Sequence, residues 1–170
     1  MRRAAVTGAP ARRYATGPDV PAYTEATYYA EPGSPSAEAE HACTQGSGGY
    51  TVHASAAHPA FCIRADRARG MTDVRVTSAK AEKSTIDGTW QVEVTLSPAD
   101  RTRFAALTGS IAAAPSPRNG FAIVIDGKLW GNPYVTSSIT GGRLEIVGAF
   151  VGDLTSATAH DLALRLDAGR

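Results

Sequence analysis

Trp90-Gln91-Val92-Glu93-Val94-Thr95-Leu96-Ser97-Pro98-Ala99-Asp100 decides the fold. Its first seven residues alternate apolar and polar at period two, the pattern of a strand with one buried face, so Trp90, Val92, Val94 and Leu96 point to a core. The chain then changes geometry at once. Ser97 is an N-cap residue, Pro98 takes the first helical position, where its missing N–H costs nothing, and Asp100 lies in the first turn, where the helix dipole favours a carboxylate. Phe104, Leu107 and Ile111 recur at helical spacing, and the helix is expected to stop within Gly109 to Ala114, ahead of Pro115 and Pro117.

Upstream, Val74-Arg75-Val76-Thr77-Ser78-Ala79-Lys80 alternates in the same way, and Asp87-Gly88 is a hairpin turn signal, so the two stretches form an antiparallel ribbon. Tyr50 to His53 and Phe61 to Arg64 read as further short strands around a loop at His58-Pro59. Downstream, Phe121-Ala122-Ile123-Val124-Ile125 is apolar throughout, as a buried central strand is, and the hairpin turn Asp126-Gly127 follows it. Leu129 to Val135 returns as a strand interrupted by Pro133, which suits an edge or a bulge. Gly141-Gly142 turns the chain again, Leu144 to Val147 makes a last strand, and Thr155 or Ser156 opens a helix with Ala159, Leu162, Ala163 and Leu166 on its inner face. The fold expected is α+β: an antiparallel sheet of about five strands with two helices on one face.

Residues 1–38 hold five prolines among Gly, Ser, Thr and Ala without a sustained period, and read as a disordered tail or linker. Tyr23, Tyr28 and Tyr29 are the exception, because Ala22 to Tyr29 suits a short strand or an adhesive patch. The remaining residues, 39–170, are expected to form one domain, which suits a chain of 170 residues.

A formal net charge of +1 sets up no field that would draw nucleic acid or an anionic membrane. The basic residues are mostly Arg, and Ala, Gly, Thr and Ser are plentiful, the codon bias of a GC-rich bacterial genome. No stretch approaches the roughly 20 apolar residues that span a bilayer. The start, Met1-Arg2-Arg3, has the charged flank of a signal peptide, but Gly8, Pro10, Arg12 and Arg13 break any apolar region after it. Either the protein is cytoplasmic, or a signal or anchor lies upstream of this start.

Cys43 and Cys62 are the only cysteines, with 18 residues between them. Bridged, they would contribute about 3 kcal/mol by constraining the unfolded chain, provided the compartment is oxidising; the other reading is two unpaired thiols. His41, Cys43, His53, His58 and Cys62 share one stretch, yet no pair has the C-x-x-C or H-x-x-x-H spacing of a zinc site, so no metal is expected. Ser110, Ser137 and Ser138 lack the G-x-S-x-G context of a strained nucleophile. Asp126 reads as a turn residue and Glu145 as a solvated strand residue rather than an acid–base pair. Gly46-Ser47-Gly48-Gly49 has no following Lys and reads as a linker rather than a phosphate loop. No enzyme activity and no cofactor are expected.

The order of the pieces resembles one family, the head subdomain of the first periplasmic domain of SecD and SecDF, of the actinobacterial kind. That family runs W-x-V-x-x-x-L, F-A-x-L-T, P-x-x-x-x-A-I-V-L-D-G, I-T-G-G, I-x-G and A-x-x-L-A-x-x-L. Here the same order runs through Trp90 to Leu96, Phe104-Ala105-Ala106-Leu107-Thr108, Pro117 with Ala122 to Gly127, Ile139-Thr140-Gly141-Gly142, Ile146-Val147-Gly148, and Ala159 to Leu166. The likeness is clear over residues 72–168 and weaker back to Cys43. It departs after the Asp126-Gly127 turn, where Trp130-Gly131-Asn132-Pro133 replaces a smaller Ser-Ala-Pro.

The shared residues are turn glycines and core positions, so the resemblance implies a fold more firmly than an activity. It implies an extracytoplasmic module of the cell envelope that contacts an unfolded or emerging polypeptide or an envelope complex such as the Sec translocase. It also favours a signal or anchor upstream of Met1. The intramembrane acidic residue and membrane helices that couple SecD to proton flow have no counterpart in these residues. A different reading is an envelope lipoprotein domain that borrowed the fold for a structural or small-ligand role. Trp130, Asn132, Pro133, Tyr134 and Phe150 lie on or near adjoining hairpin strands; they form either a partly exposed peptide-binding patch or part of the sheet's own core.

Overall fold

The computed structural model describes residues 20–28, 49–52, 61–148 and 153–168. Strand β5 (Trp90–Leu96) runs into helix α1 (Pro98–Ala112) through Ser97, whose hydroxyl accepts the Asp100 N–H. Before it, β4 (Val76–Lys83) pairs antiparallel with β5, and after it β8 (Arg143–Ile146) pairs with the other side, giving the order β4-β5-β8. Val92, Val94, Leu96, Leu144 and Ile146 form the inner face of this sheet. Phe104, Leu107 and Ile111 of α1 join the same core, as do Ala159, Leu162, Ala163 and Leu166 of α2 (Ser156–Ala168). Each large side chain removed from water here contributes about 1.5–3 kcal/mol.

The α+β class, the two helices and the antiparallel pairing match the sequence reading, but the strands divide among three small sheets. Strands β1 (Val20–Tyr28), β2 (Gly49–Val52) and β3 (Phe61–Met71) form one, in the order β1-β3-β2, and β6 (Ile123–Ile125) with β7 (Lys128–Gly131) forms a hairpin. The reason lies in β6. Phe121, Ile123 and Ile125 face the main core, while Ala122 and Val124 pack with Ala65 of β3. A strand apolar on both sides must be covered on both sides, so the hairpin sits as a layer of its own.

Two further differences concern the N-terminal part. Val20–Tyr28, inside the stretch expected to be a tail, is a nine-residue strand paired along β3 from Val20↔Met71 to Tyr28↔Phe61. β3 itself runs to Met71, well beyond the Phe61 to Arg64 expected. β1 falls on the Ala22 to Tyr29 stretch read as a short strand or adhesive patch, and β3 starts at the expected Phe61; their full extent was not legible because neither alternates cleanly and their pairing is interrupted by register shifts at Val20/Ala22 and Tyr23/Glu25.

Turn chemistry follows the residues. Asp126 (φ 52°) and Gly127 (φ 76°) are both left-handed, as the two-residue loop between the paired Ile125 and Lys128 requires of a type I′ turn. The β4–β5 connection is longer, spanning Ser84 to Thr89. It is held by Asp87 Oδ1, which accepts from the Thr89 N–H and hydroxyl.

Asp100 does more than cap. It is only 4 % exposed, and its carboxylate accepts the Arg75 N–H at 2.7 Å and the Arg103 guanidinium at 2.6 Å, tying α1 to the segment before β4. Burial raises its pKa, but the Arg75 N–H, Arg103 and the Ser97 hydroxyl together outweigh that and hold it below the usual 3.8. Because the folded pKa is depressed, the carboxylate stabilises the fold above the unfolded value and that stability is lost as pH falls through the folded one. Thermal denaturation should therefore show stability falling below about pH 4, and Asp100→Asn should flatten that fall while lowering stability at pH 7. An unchanged acid limb in the variant would show that Asp100 does not carry it.

Candidate functional site

The connection from β7 to β8 is fastened to α1 at Thr108. This hydroxyl is fully buried; it donates to the Phe104 carbonyl at 2.8 Å and accepts the Ile139 N–H at 2.9 Å. Ser138 Oγ adds a bond to the Ala105 carbonyl at 2.7 Å. These contacts fix Ile139 against the start of β6, and a cleft of about 430 Å³ opens there. Phe121, Ile123, Pro133 and Ile139 line it together with Leu144 of β8. Glu93, Arg143 and Glu145 complete its lining.

One wall of the cleft is a strand edge that is unpaired among the described residues. β8 ends its sheet. The Leu96 N–H donates to the Gly142 carbonyl, and the register continues through Val94↔Leu144 and Val92↔Ile146. In an antiparallel ladder hydrogen-bonded and non-bonded pairs alternate, so Arg143 and Glu145 aim their backbone N–H and C=O groups away from β5, toward the open side. An edge of this kind can accept another extended chain.

Of the residues singled out from sequence, Pro133 lines the cleft. Trp130 is half-buried against the main core, with Lys128 Nζ 4.4 Å from its ring centroid. Asn132 is half-buried, Tyr134 is 50 % exposed, and Phe150 lies outside the described residues. Gly142 (φ 65°) makes the turn into β8, beside the exposed Gly141. Cys62 is 1 % exposed and disulfide-bonded; Cys43 lies outside the described residues, as do His41, His53, His58 and the Gly46-Ser47-Gly48 linker. Among the described residues no group of three or more His, Cys, Asp or Glu gathers as a metal site would. Ser110 donates its hydroxyl to the Leu107 carbonyl, and His160 packs edge-on against Trp90 at 5.1 Å, so these two residues hold structural contacts.

Sequence reading passed over Glu93, Phe121, Ile139, Arg143 and Leu144 as site residues and took Glu145 for a plain solvated strand residue. No motif marks them. Glu93 and Glu145 become neighbours only because β8 pairs with β5, placing them directly opposite each other.

Fold and site together define a small antiparallel α+β domain with an apolar cleft beside an unpaired sheet edge. The family model of the SecDF P1 head subdomain matches residues 51–170, and the chain belongs to that family. Protein translocase subunit SecD of Streptomyces coelicolor is 35 % identical over 92 residues, which cover 54 % of this chain and 16 % of that protein. Protein translocase subunit SecDF of Brucella abortus is 36 % identical over 95 residues, covering 56 % of this chain and 12 % of that one. A crystal structure of SecDF in its super-membrane-facing form is similar at 28 % identity and a TM-score of 0.45, over 55 % of this chain and 11 % of that chain. The chain thus spans less than a fifth of the length of these relatives. No helix among the described residues is long and apolar enough to cross a membrane.

Proposed function

We propose that this chain is a non-enzymatic, extracytoplasmic module that binds unfolded or emerging polypeptide in the service of Sec-dependent protein export, alone or docked on the translocase. The observation that carries the reading is the cleft itself. Half-buried Pro133 and Ile139, with the buried Phe121, Ile123 and Leu144 behind them, stand beside a sheet edge that is unpaired among the described residues, a combination suited to holding an extended chain through side chains and main chain together. The segment Trp130 to Tyr134 continues that surface through Pro133. Membership of the SecDF head family supports the setting.

Binding of a reduced, carboxymethylated polypeptide, followed by fluorescence anisotropy, should be saturable. Ile139→Glu places a charge in the cleft and should weaken binding about tenfold or more in protein that circular dichroism shows still folded at the assay temperature. Equal affinity in that variant would remove the cleft from the reading. For the compartment, the disulfide at Cys62 favours an oxidising one, with Cys43 as the proposed partner. Protein recovered from its native cells should resist alkylation at both cysteines until reduced; two free thiols would place it in a reducing compartment.

A further inference from the structure

Glu93 and Glu145 are directly opposite each other on the solvent-facing side of the β4-β5-β8 sheet. Like charges in that relation destabilise a sheet, and a neighbouring cation normally relieves them. Lys80 is in register with Glu93 from the other side, yet its ammonium group goes to Glu82 at 3.0 Å. Arg143, next on the same face of β8, forms no ion pair with either glutamate among the described residues. Both residues border the cleft. Among the described residues neither carboxylate has an ion-pair partner within 4 Å, and a further strand on the β8 edge would bring one beside them.

Resting on the polypeptide-binding reading above, we infer that the bound chain adds to β8 as a further strand, through the open backbone groups of Arg143 and Glu145, and that the site selects a lysine or arginine adjacent to an apolar residue. The alternation of side chains sets that pair. A residue opposite Glu145 shares its face and lies beside both glutamates, whereas its neighbour opposite Leu144 turns to the other face, the apolar side of the sheet. Basic and apolar residues one step apart thus fill the two halves of the cleft at once. Arg143, two residues from Glu145, disfavours a second basic residue at its own position.

The test uses the full chain and fluorescent nonapeptides of one composition class: an alternating valine–threonine peptide with a central Lys-Leu pair, the same peptide with Glu or Ser for the Lys, and the Lys peptide N-methylated at the residues that would bond β8. The Lys peptide should bind about fivefold tighter than the Ser peptide and tighter still than the Glu peptide, with the difference shrinking as salt is raised. The double variant Glu93→Gln/Glu145→Gln should erase that preference, so that the Lys, Ser and Glu peptides bind alike; a preference for Lys that persists in this variant would overturn the inference. N-methylation should weaken binding about two- to tenfold, and hydrogen exchange at the Arg143 and Glu145 amides should slow when the Lys peptide is added. Binding that is blind to charge and to N-methylation, yet lost in Ile139→Glu, overturns this inference and leaves the broader reading intact. Binding of none of the peptides overturns both. A concentration-dependent dimer that protects the same amides without peptide would assign the edge to a second copy of the chain and overturn the inference as well.

Discussion

Phe104→Ala should cost about 3–5 kcal/mol of stability and lower the melting temperature by roughly 10 °C or more. Phe104 is 0 % exposed and meets Phe121 edge to face, with ring centroids 5.3 Å apart. It is the point at which α1 grips the start of β6, so truncation leaves a cavity between two elements rather than within one. The surroundings have little freedom to close it, because Thr108, one turn on, is already held by the Phe104 carbonyl and the Ile139 N–H. A conservative Phe104→Leu should recover most of the loss. The cavity and the cleft share Phe121, so any folded Phe104→Ala protein should also bind polypeptide more weakly. Chemical denaturation checks the first expectation, and a loss below about 1 kcal/mol would mean the helix is not anchored there.

Gly142→Ala should cost about 2–4 kcal/mol, with a local effect larger than the global one. The backbone at Gly142 has φ 65°, where an L side chain is strained by about 1–2 kcal/mol. A Cβ there would also stand 2.7 Å from Arg101 Cγ and 2.9 Å from Arg101 Cβ, so α1 or the turn must move. Gly142 is also the residue whose carbonyl takes the Leu96 N–H and starts the β8 register. A shift there displaces Arg143 to Glu145, the wall of the cleft. Hydrogen exchange should show faster opening of β8 than of α2, and the preference for a lysine-bearing peptide should disappear before the fold does. By contrast Gly141→Ala, with open space at the Cβ and no positive φ, should be nearly neutral.

Much of this architecture was legible because local and long-range demands agree. Trp90 to Leu96 alternates cleanly since one face of β5 meets the core, and Ser97-Pro98-Ala99-Asp100 caps the next helix by chemistry confined to four residues. Asp126-Gly127 could be read directly because both left-handed φ values fall on residues that tolerate them. The β1–β3 pairing was hidden, since it joins residues some forty apart through a register broken twice, and no local pattern encodes that. The cleft was hidden for a related reason. Its apolar lining residues read as ordinary core positions, and its two glutamates lie 52 residues apart in sequence, made neighbours by strand pairing alone. The aromatic residues drew attention from sequence by their type. Trp130 packs half-buried against the core, and the cleft is lined by Pro133 with residues that no sequence motif marks.

The most direct measurement is an NMR titration of the isotopically labelled chain with an unfolded, carboxymethylated polypeptide, following backbone amides residue by residue. Saturable shifts concentrated at Arg143 to Ile146, Phe121, Ile123 and Ile139, and lost in Ile139→Glu, are the expected result. Shifts confined to other surfaces, or none at concentrations where an export module must work, would contradict a polypeptide-binding cleft at the β8 edge.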